Sequence, residues 1–498
     1  MSPPARLQAM APVGGIALSR VVREQVEGKV PCDFDDMGEH RVKNIERPLH
    51  VFFVKGAGQA ETEMRSAKSP RRLSVCVLPF ANMSGDVEQN YFSDGITEDI
   101  ITDLSKVSAL LVVARNTAFQ FKGRNVDASQ VARQLRVDHI LEGSVRKAGG
   151  RVRITAQLID GTSGGHVWAE RYDRDLNDIF ALQDEISEAI VKALKLTLLL
   201  EERKAIEQRG TKNPEAYNFY LMARQLYLAG QITSLRGSEA IIRLCKGAIK
   251  IDSNYALAWA LLALTQAVRT ADLSPDRGLE AANRAVALDS SLAEGHVAKG
   301  RVQSNLRRFD EAAKEYEIAL SLDPELPEAN MNAGHFYCGQ RNFGRAIPLL
   351  EKADALSSTA NPAVLLMFMY RATHDKEGEL SAASRLLARA EAILAQEPDN
   401  TNAMGFLALA LAALGKGERA RGIINRGVLL EPDNVVTRIN FTRAYALLND
   451  VEAAIAMMQE ISTTWPALRV GEYLAIADNT VLADAPSFKT LIAGMRAS

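Results

Sequence analysis

AEGHVAKGRVQSNLRRFDEAAKEYEIALSLDP, from Ala293 to Pro324, decides how most of this chain folds. Gly300 stands where two helices would cross closely, Ala312 and Ala319 are small residues on the second helix, Tyr316 fills the space left over, and Pro324 ends the unit. Small residues let helices approach and large ones plug the gap. The closing turn recurs along the chain: AIKIDSN at Asp252, AVALDSS at Asp289, ALSLDPE at Asp323, ILAQEPDN at Pro398 and VLLEPDN at Pro432. Asp252 to Asp289 is 37 residues, and the steps from Asp289 to Asp323, Pro398 to Pro432 and Pro432 to Pro466 are each 34. A fixed period of this size is the mark of a repeat architecture.

The internal pattern repeats with the spacing. Gly334, Tyr337, Ala346, Leu350 and Ala353 occupy matching offsets in the next unit, then Ala408, Leu411, Ala420, Ile424 and Pro432, and finally Tyr445, Ala454, Met458 and Pro466. Residues 214–466 therefore resemble a tetratricopeptide array of six or seven helical pairs, with residues 467–498 as a helical cap. Asp323 to Pro398 spans 75 residues, two periods and a surplus, which places a lengthened loop at HDKEGEL, His374 to Leu380. A second long loop is expected near TADLSPD, Thr270 to Asp276.

Upstream the texture changes. SVCVLPF (Ser74–Phe80) and LLVVAR (Leu110–Arg115) are short β-branched runs. Between them Ile96, Ile100, Ile101 and Leu104 have helical spacing, with Ser93 or Asp94 available as a cap. A helix is expected at Ala128–Leu135, then two strands turning at Gly149 and Gly150, a third strand in GGHVWAERYD, and a long amphipathic helix over Ile179–Arg203. The order β, α, β, α, three β, α gives an α/β domain over residues 73–209. VLPFANMSGDVEQNYFSDGITEDIITDLSKV, LEGSVRKAGGRVRITAQLID and GGHVWAERYDRDLNDIFALQDEI carry a resemblance to the TolB-like, or FlgO-like, domain that precedes tetratricopeptide repeats in bacterial signalling proteins. That resemblance implies no enzymatic chemistry.

Residues 1–55 form a third class. PVGGIALSRVVREQVEGKV reads as a strand and a helix, and DFDDMGEHRVKNIERPLHVFFV as two strands turning near Pro48. This stretch resembles the carboxy-terminal end of a class III adenylate or guanylate cyclase domain, an incomplete α/β remnant, and residues 56–72 read as a linker. Such cyclases use two metal ions held by aspartates to neutralise charge during phosphoryl transfer. Both aspartates fall upstream of the part matched here. The resemblance puts Arg6, in ARL, at the arginine that stabilises developing charge, with Ser2 where an asparagine is expected, and gives Lys43 a weaker match near the nucleotide. The alternative for both is a solvated basic side chain, since electrostatic stabilisation needs a preorganised site.

Composition bounds the rest. The 498 residues are 47% hydrophobic and 24% charged, which fits about three soluble domains. Lysine plus arginine number 59 against 61 acids, a net charge of −2 that offers nucleic acid or a membrane surface no polyelectrolyte field. The basic stretch RSAKSPRR, Arg65–Arg72, reads as linker. Cys32, Cys76, Cys245 and Cys338 lie far apart, which signals neither a zinc site nor a disulfide framework and favours a reducing compartment. MSPPARLQAMAPVGG is not patterned as a secretory signal, and GFLALALAALG (Gly405–Gly415) falls short of the roughly 20 residues of a membrane span. A cytoplasmic protein is expected.

No cofactor and no metal are expected. His296 and His335 lack a ligand partner at a convincing spacing, Asp94, Glu98 and Asp99 suit a helix start on dipole grounds alone, and GSVRKAGG reads as a hairpin rather than a phosphate loop. The expected fold is mixed, a small α/β domain followed by an all-α solenoid. The expected function is non-catalytic scaffolding, with a protein or peptide held in the repeat groove by first-helix residues including Arg301, His335, Asn402 and Arg443. The alternatives are part of a cyclase whose catalytic half is missing from the chain, and a regulator whose α/β module senses a ligand.

Overall fold

The computed structural model describes residues 16–26, 34–40, 49–54, 72–124, 126–207, 210–233, 235–268, 276–357, 359–432, 434–464 and 481–497. They form two compact units, one up to Leu73 and one from Ser74 onward. The expectations at Arg6, Lys43, Pro466, the linker and most of TADLSPD lie outside the described residues.

In the first unit β1 (Ala17–Ser19) leads directly into α1 (Arg20–Val26), and β2 (Phe34–His40) and β3 (Leu49–Val54) complete an antiparallel sheet of order β1-β3-β2. Val51 and Phe52 on the central strand are its buried residues.

The boundary falls at the first residue of β4 (Leu73–Val77), and the second unit continues with the two-residue β5 (Ala81–Asn82), α2 (Asn90–Ser105), β6 (Leu110–Val112), α3 (Arg115–Phe119) and α4 (Ala128–Leu135). A meander of β7 (His139–Ala148), β8 (Arg151–Asp160) and β9 (His166–Asp175) follows. The sheet order is β6-β4-β7-β8-β9, with β4 and β7 parallel and the meander antiparallel. Ile96, Ile100 and Leu104 on α2 are fully buried, as the spacing predicts. GSVRKAGG is the β7–β8 hairpin, and Gly149 has the positive φ of 59° that its turn requires.

Two expectations here are corrected. Helix α2 starts at Asn90, before the proposed caps, because Asp86 accepts from the Glu88 amide at 2.9 Å and organises the preceding turn. Ser93 is buried within the helix and Asp94 pairs with Lys122 Nζ at 2.5 Å. The single long helix over Ile179–Arg203 is instead two, α5 (Ile179–Ala193) and α6 (Leu200–Glu207). Lys195 closes α5 in a left-handed conformation, φ 56°, and Glu202 accepts from the amides of Leu199 and Ser108, tying the break to the end of α2.

Among the described residues, fourteen helices then pair as seven hairpins: α7 (Pro214–Leu228) with α8 (Leu235–Ile251), α9 (Ala256–Val268) with α10 (Leu279–Leu288), α11 (Ala293–Asn305) with α12 (Phe309–Leu322), and α13 (Pro327–Gly339) with α14 (Phe343–Leu356). Next come α15 (Asn361–Ala372) with α16 (Lys376–Gln396), α17 (Thr401–Ala413) with α18 (Gly417–Leu430), and α19 (Val435–Leu447) with α20 (Val451–Thr464). Helix α21 (Pro486–Ala497) follows. Within five pairs the same backbone bond closes the turn: Arg308 to Gln303, Asn342 to Tyr337, Asp375 to Tyr370, Lys416 to Leu411 and Asp450 to Tyr445, each at 2.8 or 2.9 Å. The close helix crossings are where the sequence put them. A Cβ on Gly300 would sit 2.9 Å from the Tyr316 ring, and one on Gly334 would sit 2.8 Å from Leu350 Cδ2.

The lengthened loop at HDKEGEL is overturned. His374 is the ordinary left-handed turn residue, φ 59°, and Asp375 caps α16 by accepting from the Gly378 amide. The surplus is taken up by α16 itself, 21 residues against 14 in α12, α14, α18 and α20. Seven extra residues are close to two helical turns, so the packing face keeps its direction. The added length is held by Asp354, only 4% exposed, which accepts from Arg385 Nε at 2.7 Å and from Arg389. Among the described residues no helix is long and apolar enough to cross a membrane.

Candidate functional site

First helices of several pairs bring polar and aromatic side chains together. Three of the four residues expected there come together: Arg301 Nη1 on α11 lies 3.1 Å from His335 Nδ1 on α13, and the charge of Arg443, on α19, acts on His335. Side chains from the third, fourth and seventh pairs thus approach one another, and Arg443 also stacks 5.4 Å from the Phe368 ring of α15. The His335 side chain is exposed to the groove yet crowded by its walls. That crowding, with Arg301 and Arg443 added, pushes the imidazole down to about 3, so it is neutral at physiological pH.

Asn402 does not join them. Its Oδ1 accepts from Thr437 Oγ1 at 3.1 Å and from Asn434 Nδ2 at 3.3 Å, stitching α17 to the start of α19. His296 is engaged within its own repeat as well: it is 5% exposed, with Nδ1 2.6 Å from Glu315 Oε2 and Nε2 3.0 Å from the Ser290 carbonyl oxygen. Asp94, Glu98 and Asp99 go to three different partners rather than to one site. Asp94 pairs with Lys122, Glu98 with Arg115, and Asp99 accepts from Gln183 and the Tyr217 hydroxyl.

Nearer the α/β module a small open pocket lies among the first helices. Tyr220 and Arg224 of α7, Leu257, Leu261 and Leu264 of α9, Glu294 of α11 and Glu328 of α13 are among its lining residues. Arg224 Nη1 lies 2.8 Å from Glu328 Oε1, and its Nε lies 4.0 Å from Glu98 on α2. Burial opposes the charge on Arg224, but Glu328 and Glu98 outweigh it and hold the guanidinium protonated. Burial pushes the Glu294 carboxyl upward, against the pull of Arg224. Helix α2 packs on α7 and α3 reaches α14, so the α/β module abuts the solenoid beside this pocket.

Sequence reasoning missed Glu294 and Glu328, although the signal was present. They are 34 residues apart and each stands seven residues, two turns, before Arg301 and His335, on the same helix faces.

Stacked helical pairs with a groove lined by their first helices define a tetratricopeptide-repeat protein, here carrying a small α/β module at its amino-terminal side. Tetratricopeptide repeat models match residues 293–326 and 376–436. Residues 71–189 match a model described as HilA/YgeH-like transcriptional regulator, second domain. Over 320 residues the chain is 47% identical to a protein named "Putative adenylate cyclase 3" from Rhizobium meliloti (strain 1021). The match takes in 62% of this chain and 54% of that protein, so the chain spans about half the length of the curated relative it matches. Among solved structures it is similar to a thermophilic TPR protein, TTC0263, from Thermus thermophilus, at a TM-score of 0.31 and 20% identity over 39% of this chain and 98% of that one. It is also similar to TolB from Acinetobacter baumannii, at a TM-score of 0.19 and 15% identity over 25% and 28% of the two chains.

Proposed function

We propose that this chain is a non-catalytic signalling scaffold whose groove holds a protein or peptide partner, with Arg301, His335 and Arg443 among the contacting side chains. The observation that carries this is their convergence: residues from the third, fourth and seventh helical pairs present polar groups to one face. Stacked repeats expose such an extended surface, and binding energy concentrates in a few well-placed arginines and aromatics, here joined by Phe368. Affinity purification with the whole chain as bait, beside an Arg301→Ala, His335→Ala, Arg443→Ala chain, tests it. A partner retained by the first and lost by the second is the expected result, and no partner that depends on these side chains contradicts it.

A second reading is favoured by one observation, the 47% identity to a protein named as a cyclase. In that reading the chain corresponds to part of a cyclase-type protein, residues 1–55 correspond to the carboxy-terminal end of its catalytic domain, and Arg6 and Lys43 to residues on its nucleotide side. Residues 73–209 are then the TolB-like module between that segment and the repeats. Incubation of this chain with ATP or GTP and manganese is expected to yield no cyclic nucleotide. Measurable turnover would overturn the scaffold reading.

A further inference from the structure

We propose that the pocket between α7, α9, α11 and α13 receives the basic side chain, lysine or arginine, of a peptide lying in the groove. This rests on the groove reading above and adds the chemistry of one subsite. Two carboxylates, Glu294 and Glu328, line the pocket against the guanidinium of Arg224. Glu328 is 8% exposed, and its two oxygens differ: Oε1 pairs with Arg224, while Oε2 is buried with no hydrogen-bond partner among the described residues. A buried acceptor without a donor is costly, and a donor entering this pocket would satisfy it. Arg224 lines the same pocket as Glu294, and its guanidinium is already engaged by Glu328 and Glu98.

The apolar part of the lining completes the match. Leu257, Leu261, Leu264 and the ring of Tyr220 form the walls. Lysine and arginine bury their methylene stems along apolar surface while the charged head reaches polar groups, which is the division this pocket offers. An acidic side chain would meet two carboxylates, and an apolar one would leave Glu328 Oε2 unsatisfied.

The test is selection of a random dodecapeptide display library on the whole chain, followed by fluorescence binding of the selected peptides. Peptides with a lysine or arginine beside apolar residues are expected. Replacing that residue by norleucine or citrulline should weaken binding about tenfold, and Glu294→Gln should weaken the basic peptide by a similar factor while leaving the neutral one unchanged. Glu294 is only partly buried and Glu294→Gln keeps the Arg224–Glu328 pair, so the variant should fold, which circular dichroism checks. Glu294→Lys should shift selection toward acidic residues. Peptides that lose binding in Arg301→Ala or Arg443→Ala chains, lack a basic residue and ignore Glu294→Gln would overturn this subsite and leave the groove reading standing. Absence of any peptide sensitive to a groove residue would overturn both.

Discussion

Helix α11 has two faces that use their side chains in opposite ways. On its packing face, Gly300 lies against Tyr316 and His296 against Glu315, and both are committed to the helix's own partner α12. On its groove face, Glu294 and Arg301 stand two turns apart, and Arg301 reaches His335 of the next first helix. The packing face is filled and fixes the repeat. The groove face keeps charge and space. Substitutions on the two faces should therefore separate cleanly, one set acting on unfolding and the other on binding.

The largest effect is expected at the crossings. Gly300→Val puts atoms into the Tyr316 ring, which is 1% exposed, and should cost about 3 kcal/mol of overpacking, more than the gain in helix propensity from removing a glycine. Denaturant unfolding of the whole chain checks this, and a change under about 0.5 kcal/mol would show that the face yields. A cycle of Gly334→Ala with Leu350→Ala sharpens it. Each single change should destabilise, and the double should cost about 1 kcal/mol less than their sum because the new methyl enters the space the leucine leaves.

A smaller, pH-dependent effect belongs to Glu315. Burial raises its carboxyl, but Lys299 at 2.6 Å and His296 more than offset this, so it titrates below the usual carboxylate range in the folded protein. A depressed folded value stabilises above the unfolded one. The advantage over Glu315→Gln, about 2 kcal/mol, should be full at pH 7 and be lost as pH falls below about 4. An advantage that persisted unchanged at pH 3 would contradict the ion-pair assignment.

The smallest stability effects are expected on the groove face. Arg301→Ala and Glu294→Gln should each change unfolding by no more than about 0.5 kcal/mol, while altering peptide binding.

Much of this was legible in the chain itself. The period and the Gly300, Gly334 and Tyr316 positions report helix crossings directly, since a missing Cβ facing a large side chain is written in the sequence. The length of α16 was not legible: HDKEGEL is as polar as a loop, and only the Asp354–Arg385–Arg389 cluster shows what holds two added turns in place. The break after α5 depends on Glu202 reaching Ser108, a contact between positions 94 apart. Asn402 has a groove-compatible offset, but two neighbours claim its oxygen. Glu294 and Glu328 were missed because acids at a helix start already have a sufficient local explanation in the helix dipole.

The central claim is that the curved first-helix face is the binding surface. Hydrogen exchange of the whole chain, with and without a selected peptide at saturating concentration, tests it most directly. Slowed exchange confined to the first helices, above all Ala293–Asn305, Pro327–Gly339 and Val435–Leu447, is the predicted result. Slowed exchange on the second helices or the β7–β8 hairpin, with the first helices unchanged, would contradict it.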